Sequence, residues 1–549
     1  MSAPRSFSVD PPIEPQPLAR LLVPLREAGL LAAPVERAET LVVHAIADDS
    51  RDVRPGTLFV AVRGDETDGH LFLDTAVQNG AVAALVETVS LRKRAEVTDD
   101  EDAAAQEESP EASSAQGPSS TEAMASTSPL GKGERLPGAV LVPVTDTRAA
   151  LGEVSNAFYG VPSQRLDLLG VTGTNGKTTT AFLLYHLMTA LGWKSGLVGT
   201  VENRIGDARI ATDFTTPEAL ELNRLLRAMV DAGCRACAME VSSHGLALDR
   251  VRGQRFRAAA FTNLTHDHLD FHGTVEHYRR AKKRLFDGLD KEAVAVVNRD
   301  DPAWEGMVAD TTARVVTYGT KPEADLRVEV LDNALDGLRL RLDGAEREFR
   351  LAGAFNAYNL AAAYGVARDL GFSQSEVLDA LTEARGVPGR FETVRSDDGV
   401  LGVVDYAHTP DALENVLRTA RQMMSEDGAL WVVFGCGGDR DRTKRPVMGR
   451  AAELLADRVV VTDDNPRTED PASIRAAVRI GMDDPSRATE IGDRAEAIAF
   501  AATEAAPGDV IVVAGKGHET YQIVGTEKRD FDDRAALRNA FAHRSTSVG

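Results

Sequence analysis

Short apolar runs alternate with stretches of helical spacing along most of this chain, and the alternation predicts an α/β fold. Residues 166–172 are apolar and bounded by a turn, which is typical of a buried strand. Residues 177–191 carry apolar side chains at helical spacing, which predicts a helix. The same succession continues to about residue 386 and begins again at residue 402, as in parallel sheets with crossover helices.

The pattern is interrupted in three places. Residues 1–18 are rich in proline, and we expect them to be disordered. Residues 95–137 have almost no large apolar side chains, so they cannot offset their ordering entropy and are predicted to be a disordered insertion within one domain. Pro388 and Gly389 indicate a hinge or linker. The predicted domains are an N-terminal one at 19–165, a central one at 166–387 and a C-terminal one at 388–549.

Charge and cysteine content narrow the class of protein. The net charge of −22 argues against a protein that coats nucleic acid, because such a protein presents a basic face. No apolar run approaches the roughly 20 residues of a membrane span, and the first residues show no signal region. Three cysteines are too few for a disulfide framework, and we interpret Cys234 and Cys237 as buried structural residues. We therefore expect a cytoplasmic protein with no nucleic-acid partner and no membrane insertion.

A glycine-rich loop joins the predicted strand at 166–172 to the predicted helix. Its candidate ligand-binding residues are Gly173, Thr174, Asn175, Gly176, Lys177, Thr178 and Thr179. Such a loop places backbone N–H groups and the positive end of a helix dipole around a phosphate. Lys177 can reach the β- and γ-phosphates, and the Thr178 hydroxyl can bind Mg²⁺. Val171 stands where the usual spacing has glycine, so this is a short variant of the loop. The motif predicts ATP and Mg²⁺ as ligands.

Two further segments offer metal ligands. The strand-like run 236–240 ends in Glu240, and a carboxylate at that position near a phosphate loop can hold Mg²⁺ together with Thr178. Four of the eleven histidines lie within residues 266–277. That segment is either an exposed polar loop or a wall that binds metal or phosphate. Mg²⁺ prefers oxygen ligands, so we expect one histidine among several oxygens.

Three polar loops follow strand-like runs in the last third of the chain, at residues 435–445, 464–467 and 515–519. Arg440 and Arg467 can each hold a carboxylate in a bidentate fork, and Asp464 and Glu519 can pair with an ammonium group. Ligands of open α/β sheets bind where strands end. The loops together predict a site for an amino acid with an extra carboxylate, although each loop alone is as typical of a solvated turn.

These motifs resemble the Mur ligases of peptidoglycan synthesis. The resemblance covers nearly the whole chain outside residues 1–18 and the insertion. It rests on residues 49–56, 215–217, 239–245, 405–410 and the three C-terminal loops. It implies an N-terminal domain that binds the UDP end of the substrate, a central ATPase domain with a parallel sheet and a C-terminal Rossmann-like domain that brings the amino acid.

The resemblance also implies roles for individual residues. Those expected to face the UDP-linked substrate are Ser50, Thr215, Thr216, Ser242 and Arg250, while Leu248 stands where the family has glutamine. Lys282 matches the lysine that the family carbamylates to N6-carboxylysine, a Mg²⁺ ligand that joins Thr178, Glu240 and His268. Positions that match nucleotide contacts are Asn298, Arg390 and Asp405. Positions that match the amino-acid site are Arg440, Asp464, Asn465, Pro466, Arg467, Gly515 and Glu519.

Within the family, the chain is most similar to the members that add the third residue of the stem peptide. The implied activity is ATP-dependent addition of meso-2,6-diaminopimelate to UDP-N-acetylmuramoyl-L-alanyl-D-glutamate through an acyl phosphate, by a monomer. Arg467 favours diaminopimelate over L-lysine, because lysine-adding relatives lack this arginine. The alternatives are an L-lysine-adding ligase, a ligase similar to folylpolyglutamate synthetase, and a nucleotide-gated binding protein without turnover.

Overall fold

A computed structural model describes residue 11 and residues 13–64, 67–88, 138–212, 214–265, 267–334, 337–424 and 427–546. The insertion predicted at 95–137 lies outside the described residues. Three main sheets follow one another along the chain, with helices between their strands, which confirms the predicted α/β class. Five short 3₁₀ helices lie at Ala38–Thr40, Ser50–Asp52, Gly69–Phe72, Pro162–Gln164 and Pro485–Arg487.

The N-terminal sheet has four parallel strands, in the order Ala45–Ala47, Thr57–Val60, Ala81–Glu87 and Val140–Val144. Its helices are Leu18–Leu21, Val23–Glu27, Leu73–Gln78 and Thr147–Phe158. The last two strands pair directly, so the chain on both sides of residues 89–137 contributes to one sheet.

The expectation of disorder through residue 18 is wrong for the end of that segment. Gln16–Pro17 forms an antiparallel pair with Val42–Val43. The side chain of Leu18 is completely buried in the N-terminal core. Proline content suggested disorder, but one strand pairing and one buried leucine fix this stretch. Residues 1–10 lie outside the described part of the chain.

The central sheet has eleven strands. Their order is Ala208–Ile210, Asn203–Ile205, Ser195–Val198, Ala236–Glu240, Asp167–Thr172, Ala258–Phe261, Val294–Asn298, Arg314–Gly319, Leu326–Ala334, Gly337–Leu342 and Ala345–Phe349. The helices of this region are Lys177–Ala190, Ala219–Asp231, Ser243–Ala247, Leu269–His272, Val275–Asp287, Trp304–Val308, Phe355–Asp369 and Gln374–Thr382. The strand before the glycine-rich loop lies in the middle, parallel to both neighbours. The loop therefore opens at the centre of the sheet edge.

The central sheet is not parallel throughout, which corrects the prediction from the sequence. Its last three strands pair antiparallel. In the strand Gly337–Leu342 the buried residues Leu338, Leu340 and Leu342 alternate with exposed arginines. An antiparallel sheet with one solvated face produces this alternation, whereas a doubly covered parallel strand is apolar on both sides.

The C-terminal sheet has the order Glu392–Arg395, Leu401–Asp405, Val510–Ala514, Leu430–Phe434, Arg458–Val461 and Ala488–Glu490. All but the first strand run parallel. The helices are Pro410–Met423, Lys444–Leu455, Pro471–Arg479, Arg494–Glu504 and Asp533–Thr546, and a hairpin is formed by Tyr521–Val524 and Glu527–Asp530. Three adjacent parallel strands end at the three polar loops, so all three loops lie at one edge. Among the described helices, none has the length and apolar character to cross a membrane.

Candidate active site

A cavity of about 780 Å³ lies between the glycine-rich loop and the C-terminal domain. Most residues that the sequence assigned to nucleotide, metal and substrate line this one space. They are Thr174, Asn175, Gly176, Lys177, Thr178, Thr179, Thr215, Thr216, Glu240, Ser242, Arg250, His268, Lys282, Asn298, Arg390 and Asp405. Of the predicted set for these three ligands, Gly173 lies beside the cavity and Ser50 lies elsewhere. The structure thus brings together side chains that are far apart in the sequence.

Two glycines allow the loop to pass close to its neighbours. A Cβ atom on Gly173 would lie 1.9 Å from Thr262 Oγ, and one on Gly176 would lie 2.4 Å from Asn359 Oδ1. Gly176 also has a φ of +85°, which favours glycine. It immediately precedes the helix Lys177–Ala190, so the free N–H groups of the first helical turn face the cavity. This is the geometry of a phosphate-binding loop.

Lys177 and Lys282 converge on one carbonyl oxygen. Lys177 Nζ donates to Gly173 O at 2.9 Å and to Thr174 O at 2.7 Å. Lys282, from the helix Val275–Asp287, donates to the same Gly173 O at 2.7 Å. Burial lowers the pKa of Lys177. Burial, followed by the charge of Lys177, lowers the pKa of Lys282 well below its ordinary value.

Among the described residues, the contacts of Lys282 are uncharged, and the charge of Asp267 only partly offsets the effect of burial on its pKa. Besides the Gly173 carbonyl, its Nζ lies over the Tyr278 ring, 4.4 Å from the centroid. The residue is 1% exposed. A buried ammonium group without a charged partner is unstable, so the neutral amine is favoured. This environment suits a lysine that reacts as a nucleophile.

Glu240 and Thr178 form the oxygen-rich part of the cavity wall. Glu240 is completely buried, and its Oε2 accepts from Thr178 Oγ at 2.8 Å. Thr200 holds the same carboxylate through its backbone N–H, 2.7 Å from Oε1, and through its hydroxyl, 3.1 Å from Oε2. The carboxylate is therefore fixed beside the hydroxyl that the loop motif assigned to a metal.

His268 and His272, from the segment predicted as either a polar loop or a binding wall, lie beside His244, and His244 and His268 line the cavity. The rings of His244 and His268 lie 4.8 Å apart, and those of His244 and His272 lie 5.5 Å apart. Burial lowers the pKa of each of the three to about 4, so they are neutral near pH 7. His266 lies outside the described residues. Where the structure describes the chain, no three His, Cys, Asp or Glu side chains converge as a metal site.

The substrate-side residues form a connected cluster at the end of the strand Ala236–Glu240. Thr216 Oγ donates to the Glu240 carbonyl at 3.0 Å and accepts from the Ser242 N–H at 2.9 Å. Arg250 donates to Thr216 O at 2.9 Å. Thr215 Oγ lies 3.0 Å from Thr200 Oγ. The cluster presents hydroxyl groups and one guanidinium to the cavity.

Ser50 lines a second cavity of about 570 Å³ together with Arg148 and Leu248. An ion pair lies between the two cavities. Glu218, which lines the second cavity, is 2.6 Å from Arg250, which lines the first. An elongated substrate that occupies both cavities would pass this pair.

The C-terminal domain closes the nucleotide side of the first cavity. Arg390 donates to Thr178 Oγ at 3.2 Å and stacks on the Tyr406 ring at 4.4 Å. Asp405 accepts from the N–H groups of Phe391 and Ala407 at 2.7 and 2.8 Å. Burial raises the pKa of Asp405.

Two more contacts complete this side of the cavity. Asn298 Nδ2 donates to Thr262 O at 2.8 Å. Asp411 accepts from Asn175 Nδ2 at 2.8 Å and from Thr265 Oγ at 3.0 Å, which links the phosphate loop to the helix Pro410–Met423. Sequence reasoning missed Asp411, because an acidic residue in a first helical turn is common and gives no separate signal.

The three polar loops meet as predicted from the ends of their strands. Asn465 Nδ2 donates to Glu519 Oε2 at 3.0 Å, and Arg467 Nη1 donates to Gly438 O at 2.8 Å. Two of the glycines measure how tightly the loops pack. A Cβ atom on Gly515 would lie 2.7 Å from Asp464 Oδ2, and one on Gly438 would lie 1.9 Å from Pro466 O.

Arg440 and Arg467 flank the same glycine. A Cβ atom on Gly437 would lie 3.9 Å from Arg440 Cγ and 3.0 Å from Arg467 Nη1. The loops also adjoin the first cavity, because the Tyr406 ring lies 5.1 Å from the His518 ring. The predicted amino-acid residues therefore form one surface beside the predicted nucleotide site.

Comparison with known proteins agrees with this arrangement. The Mur ligase family catalytic domain matches residues 42–159, the Mur ligase middle domain matches residues 171–367, and the Mur ligase glutamate ligase domain matches residues 389–517. The chain is 41% identical over 503 residues to the UDP-N-acetylmuramoyl-L-alanyl-D-glutamate--2,6-diaminopimelate ligase of Phocaeicola vulgatus, with 91% of this chain and 95% of that protein covered. The chain belongs to the Mur ligase family.

Solved structures are similar to this Mur ligase over nearly its full length. One is a UDP-N-acetylmuramoyl-L-alanyl-D-glutamate--2,6-diaminopimelate ligase that is 34% identical, with a TM-score of 0.61 and coverage of 93% of this chain and 98% of that one. Another is the MurF ligase of Thermotoga maritima in complex with ADP, which is 18% identical with a TM-score of 0.56 and coverage of 92% and 98%. The second likeness concerns the fold alone.

The cysteine interpretation is also confirmed in this Mur ligase. Cys234, Cys237 and Cys436 are free and buried. Burial raises the pKa of the Cys436 thiol to about 12. A thiol that stays protonated is a poor nucleophile, so these residues serve packing.

Proposed function

We propose that this Mur ligase joins 2,6-diaminopimelate to UDP-N-acetylmuramoyl-L-alanyl-D-glutamate at the expense of ATP. The observation that carries the proposal is that the phosphate loop and the threonine and arginine cluster line one cavity, with the three polar C-terminal loops forming a surface beside it. The full-length similarity to ligases named for this reaction supports it. Membership of the Mur ligase family supports ATP as the energy source.

The chemistry requires activation of a carboxylate. The γ-phosphoryl group of ATP passes to the γ-carboxylate of the D-glutamate residue, which gives ADP and an acyl phosphate. The amine of the incoming amino acid then attacks the acyl carbon, the amide bond forms, and inorganic phosphate leaves while the nitrogen loses a proton. A free carboxylate is a poor electrophile, so the acyl phosphate makes amide formation favourable.

Lys177 and Arg390 are the proposed cations for the transferred phosphoryl group. Both line the cavity beside the loop, and Arg390 already contacts Thr178. Fixed positive groups stabilise the negative charge that develops on the equatorial oxygens in the transition state. The N–H groups at the start of the helix Lys177–Ala190 hold the remaining phosphates.

The residues present fit a Mg²⁺ ion. The Thr178 hydroxyl and the Glu240 carboxylate lie 2.8 Å apart and face the cavity. Mg²⁺ in nucleotide sites takes one or two protein oxygens and completes its shell with phosphate and water. Bound there, it would neutralise phosphate charge. His268 lines the same cavity and is the proposed nitrogen ligand.

Lys282 is proposed to be carbamylated. Its neutral, buried amine would attack carbon dioxide, form an N–C bond as one C–O π bond opens, and lose one proton, which converts a neutral amine into a carbamate anion. That carboxylate would give the proposed Mg²⁺ site a third oxygen ligand beside those of Thr178 and Glu240. The proposal rests on burial and on the absence of a charged partner among its contacts, and on the match of its position with the family's lysine.

The acceptor loops suit diaminopimelate better than L-lysine. The two amino acids differ by one carboxylate at the far end of the side chain. Arg467, with Arg440 beside it, supplies guanidinium groups for that carboxylate, while Asp464 and Glu519 are proposed to pair with ammonium. A guanidinium that faced the ammonium end of lysine would repel it. We propose the meso isomer because it is the commoner substrate among relatives with this loop.

The remaining assignments follow from the same proposal. Ser50 and the second cavity would hold the UDP end, and Arg250 would lie between the two cavities. The domain limits at 19–165, 166–387 and 388–549 stay a prediction. A cytoplasmic monomer is proposed, since both nucleotide substrates belong to that compartment and all three cysteines are free.

One assay tests the function. Phosphate release is measured with ATP, Mg²⁺, UDP-N-acetylmuramoyl-L-alanyl-D-glutamate and meso-diaminopimelate, and each component is omitted in turn. We expect release only in the complete mixture, with a product heavier by one diaminopimelate molecule less one water. Equal turnover with L-lysine, or turnover with a folate acceptor and glutamate, would support the respective alternative ligase. Nucleotide binding without release would support the non-enzymatic alternative.

A further inference from the structure

A buried lysine lies beneath the proposed acceptor site. Lys516 follows the strand Val510–Ala514, and its side chain is completely buried. Its Nζ donates to Glu519 Oε2 and to Asn465 Oδ1, both at 3.0 Å. A buried ammonium group is stable only when it is paired and hydrogen bonded. These two contacts therefore hold Lys516 in one orientation.

Lys516 and Asn465 hold the same oxygen of Glu519. Asn465 Nδ2 donates to Oε2 at 3.0 Å, the atom that also accepts from Lys516. In the part of the chain that the structure describes, the hydrogen bonds of this carboxylate all fall on Oε2. Oε1 is left to meet a ligand, and the Glu519 side chain is 17% exposed. The Glu519 carboxylate is thus held at Oε2 by the protein, while Oε1 remains available to a ligand.

Asn465 is fixed as well. Its Oδ1 accepts from Lys516 and from the Ile523 N–H at 2.9 Å, and the residue is 4% exposed. Both polar atoms of the Asn465 amide, Nδ2 and Oδ1, are therefore hydrogen bonded within the protein. Lys516, Asn465 and Glu519 form a closed triangle that joins two of the acceptor loops to the hairpin at Tyr521–Val524.

We propose that Lys516 is a positioning residue of the acceptor site and acts through Glu519. The proposal rests on the proposed function, because it takes Glu519 as the carboxylate that pairs with an ammonium group of the amino acid. A glutamate side chain loses rotational freedom when it binds a ligand. Lys516 removes that cost in advance, because it holds the carboxylate in the binding orientation.

A second lysine provides a matched control. Lys516 Nζ lies 5.6 Å from the centroid of the Tyr521 ring, and Lys528 Nζ lies 3.8 Å from the same centroid. Lys528 is exposed and belongs to the hairpin strand Glu527–Asp530. It shares the charge and the aromatic neighbour of Lys516 but does not contact Glu519. A Lys528→Met variant therefore tests loss of charge near Tyr521 without loss of the triangle.

The first measurement compares KM values. We expect Lys516→Met to raise KM for diaminopimelate about tenfold, since a charge-assisted hydrogen bond to the binding carboxylate is lost. KM for ATP and for the UDP-linked substrate should stay within about twofold, because the proposed sites of both lie away from Lys516, Asn465 and Glu519. Lys528→Met should behave as the unmodified protein. An unchanged KM for diaminopimelate in Lys516→Met would refute the proposal.

The second measurement separates positioning from general support of the fold. Glu519→Gln removes the charge through which Lys516 is proposed to act. We expect the double variant Lys516→Met/Glu519→Gln to have the same KM for diaminopimelate as Glu519→Gln alone, because the two residues act as one unit. Effects that multiply would show that Lys516 acts independently of Glu519, and the proposal would be wrong.

Folding and substrate identity are controlled separately. If Lys516→Met does not fold, Lys516→Gln, which keeps a polar group towards Asn465, replaces it in the same comparisons. If neither folds while Glu519→Gln does, Lys516 supports the fold and the proposal fails. If the unmodified protein prefers another amino acid, the proposed acceptor is wrong, and the same variants are compared with that amino acid. An unchanged KM for it in Lys516→Met would then refute the positioning role as well.

Discussion

The phosphate loop and the acceptor loops are both proposed to bind charged groups, yet they are assembled in different ways. The phosphate loop is one continuous segment, and its own Lys177 donates back to the Gly173 carbonyl within that segment. The acceptor site is assembled from three strand ends that touch only in the folded protein. A continuous site is positioned by its own strand and helix. A discontinuous site needs buried braces, and Lys516 is one of them.

The largest expected effect tests the continuous site. Lys177→Ala should lower kcat by at least about a thousandfold, because it removes a fixed cation from the phosphoryl group in the transition state. Steady-state phosphate release measures it, and thermal unfolding checks that the variant is folded. Activity close to that of the unmodified protein would disprove the role of the loop in catalysis.

Lys282 contacts the phosphate loop from outside it, since its helix Val275–Asp287 brings it to the Gly173 carbonyl. Lys282→Ala should reduce activity about 10²- to 10³-fold, and short carboxylic acids should restore part of it by supplying the missing carboxylate. Removal of bicarbonate should lower the activity of the unmodified protein. A crystal structure with Mg²⁺ bound and an unmodified Lys282 side chain would contradict the carbamylation.

Arg467 tests the discontinuous site. Arg467→Ala should raise KM for diaminopimelate about a hundredfold, because the distal carboxylate loses its charged partner, while KM for ATP changes little. The measurement is the ratio of kcat/KM for diaminopimelate to that for L-lysine, which should fall by a similar factor. Efficient addition of lysine by the unmodified protein would overturn this account of specificity.

Asp411 connects the two regions. Asp411→Ala should raise KM for ATP about tenfold, since the phosphate loop loses its link to the C-terminal domain through Asn175. KM for diaminopimelate should be unaffected. Glu414 lies on the same helix with its side chain 43% exposed and pairs with Arg418 at 3.3 Å, so a Glu414→Ala control should leave every constant unchanged. Equal effects of the two variants would mean that the contact of Asp411 does not matter.

The smallest effect is expected for the insertion at 95–137. The strands on either side of it pair with each other, and the cost of loop closure grows slowly with length. Its deletion and replacement by a short linker should keep kcat and all KM values within about threefold. A much larger loss would indicate a regulatory or partner-binding role.

The sequence predicted the fold class because strands such as Leu430–Phe434 are apolar runs with clear limits. Sixteen of the residues that it assigned to nucleotide, metal and substrate line the cavity, most of them from motifs at strand ends. It did not predict the antiparallel extension at 326–349 or the early strand at Gln16–Pro17, whose pairing is decided by partners elsewhere in the chain.

The missed site residues share one property, which is that their partners are distant in sequence. Asp411 accepts from Asn175, which is 236 positions away. Arg494 is completely buried, ion-pairs with Asp533 at 2.7 Å and donates to Ala514 O at 2.9 Å, just before the Gly515 loop. Neither residue belongs to a local pattern, so only the folded structure shows what it does.

The hairpin that follows Glu519 limits how new acceptor specificities can be engineered or inherited. Arg467 is hydrogen bonded to it through the Ile523 carbonyl at 3.1 Å, and Gly525 donates back to Arg467 O at 2.7 Å. Substitution of Arg467 alone would change the side chain, but the backbone at this position would keep the conformation set by its hydrogen bonds to the hairpin. The unit to be transferred is the block from 435 to 530, because Arg467 also donates to the Gly438 carbonyl. Chimeras cut inside it should lose selectivity even when every ligand-contacting side chain has been transferred.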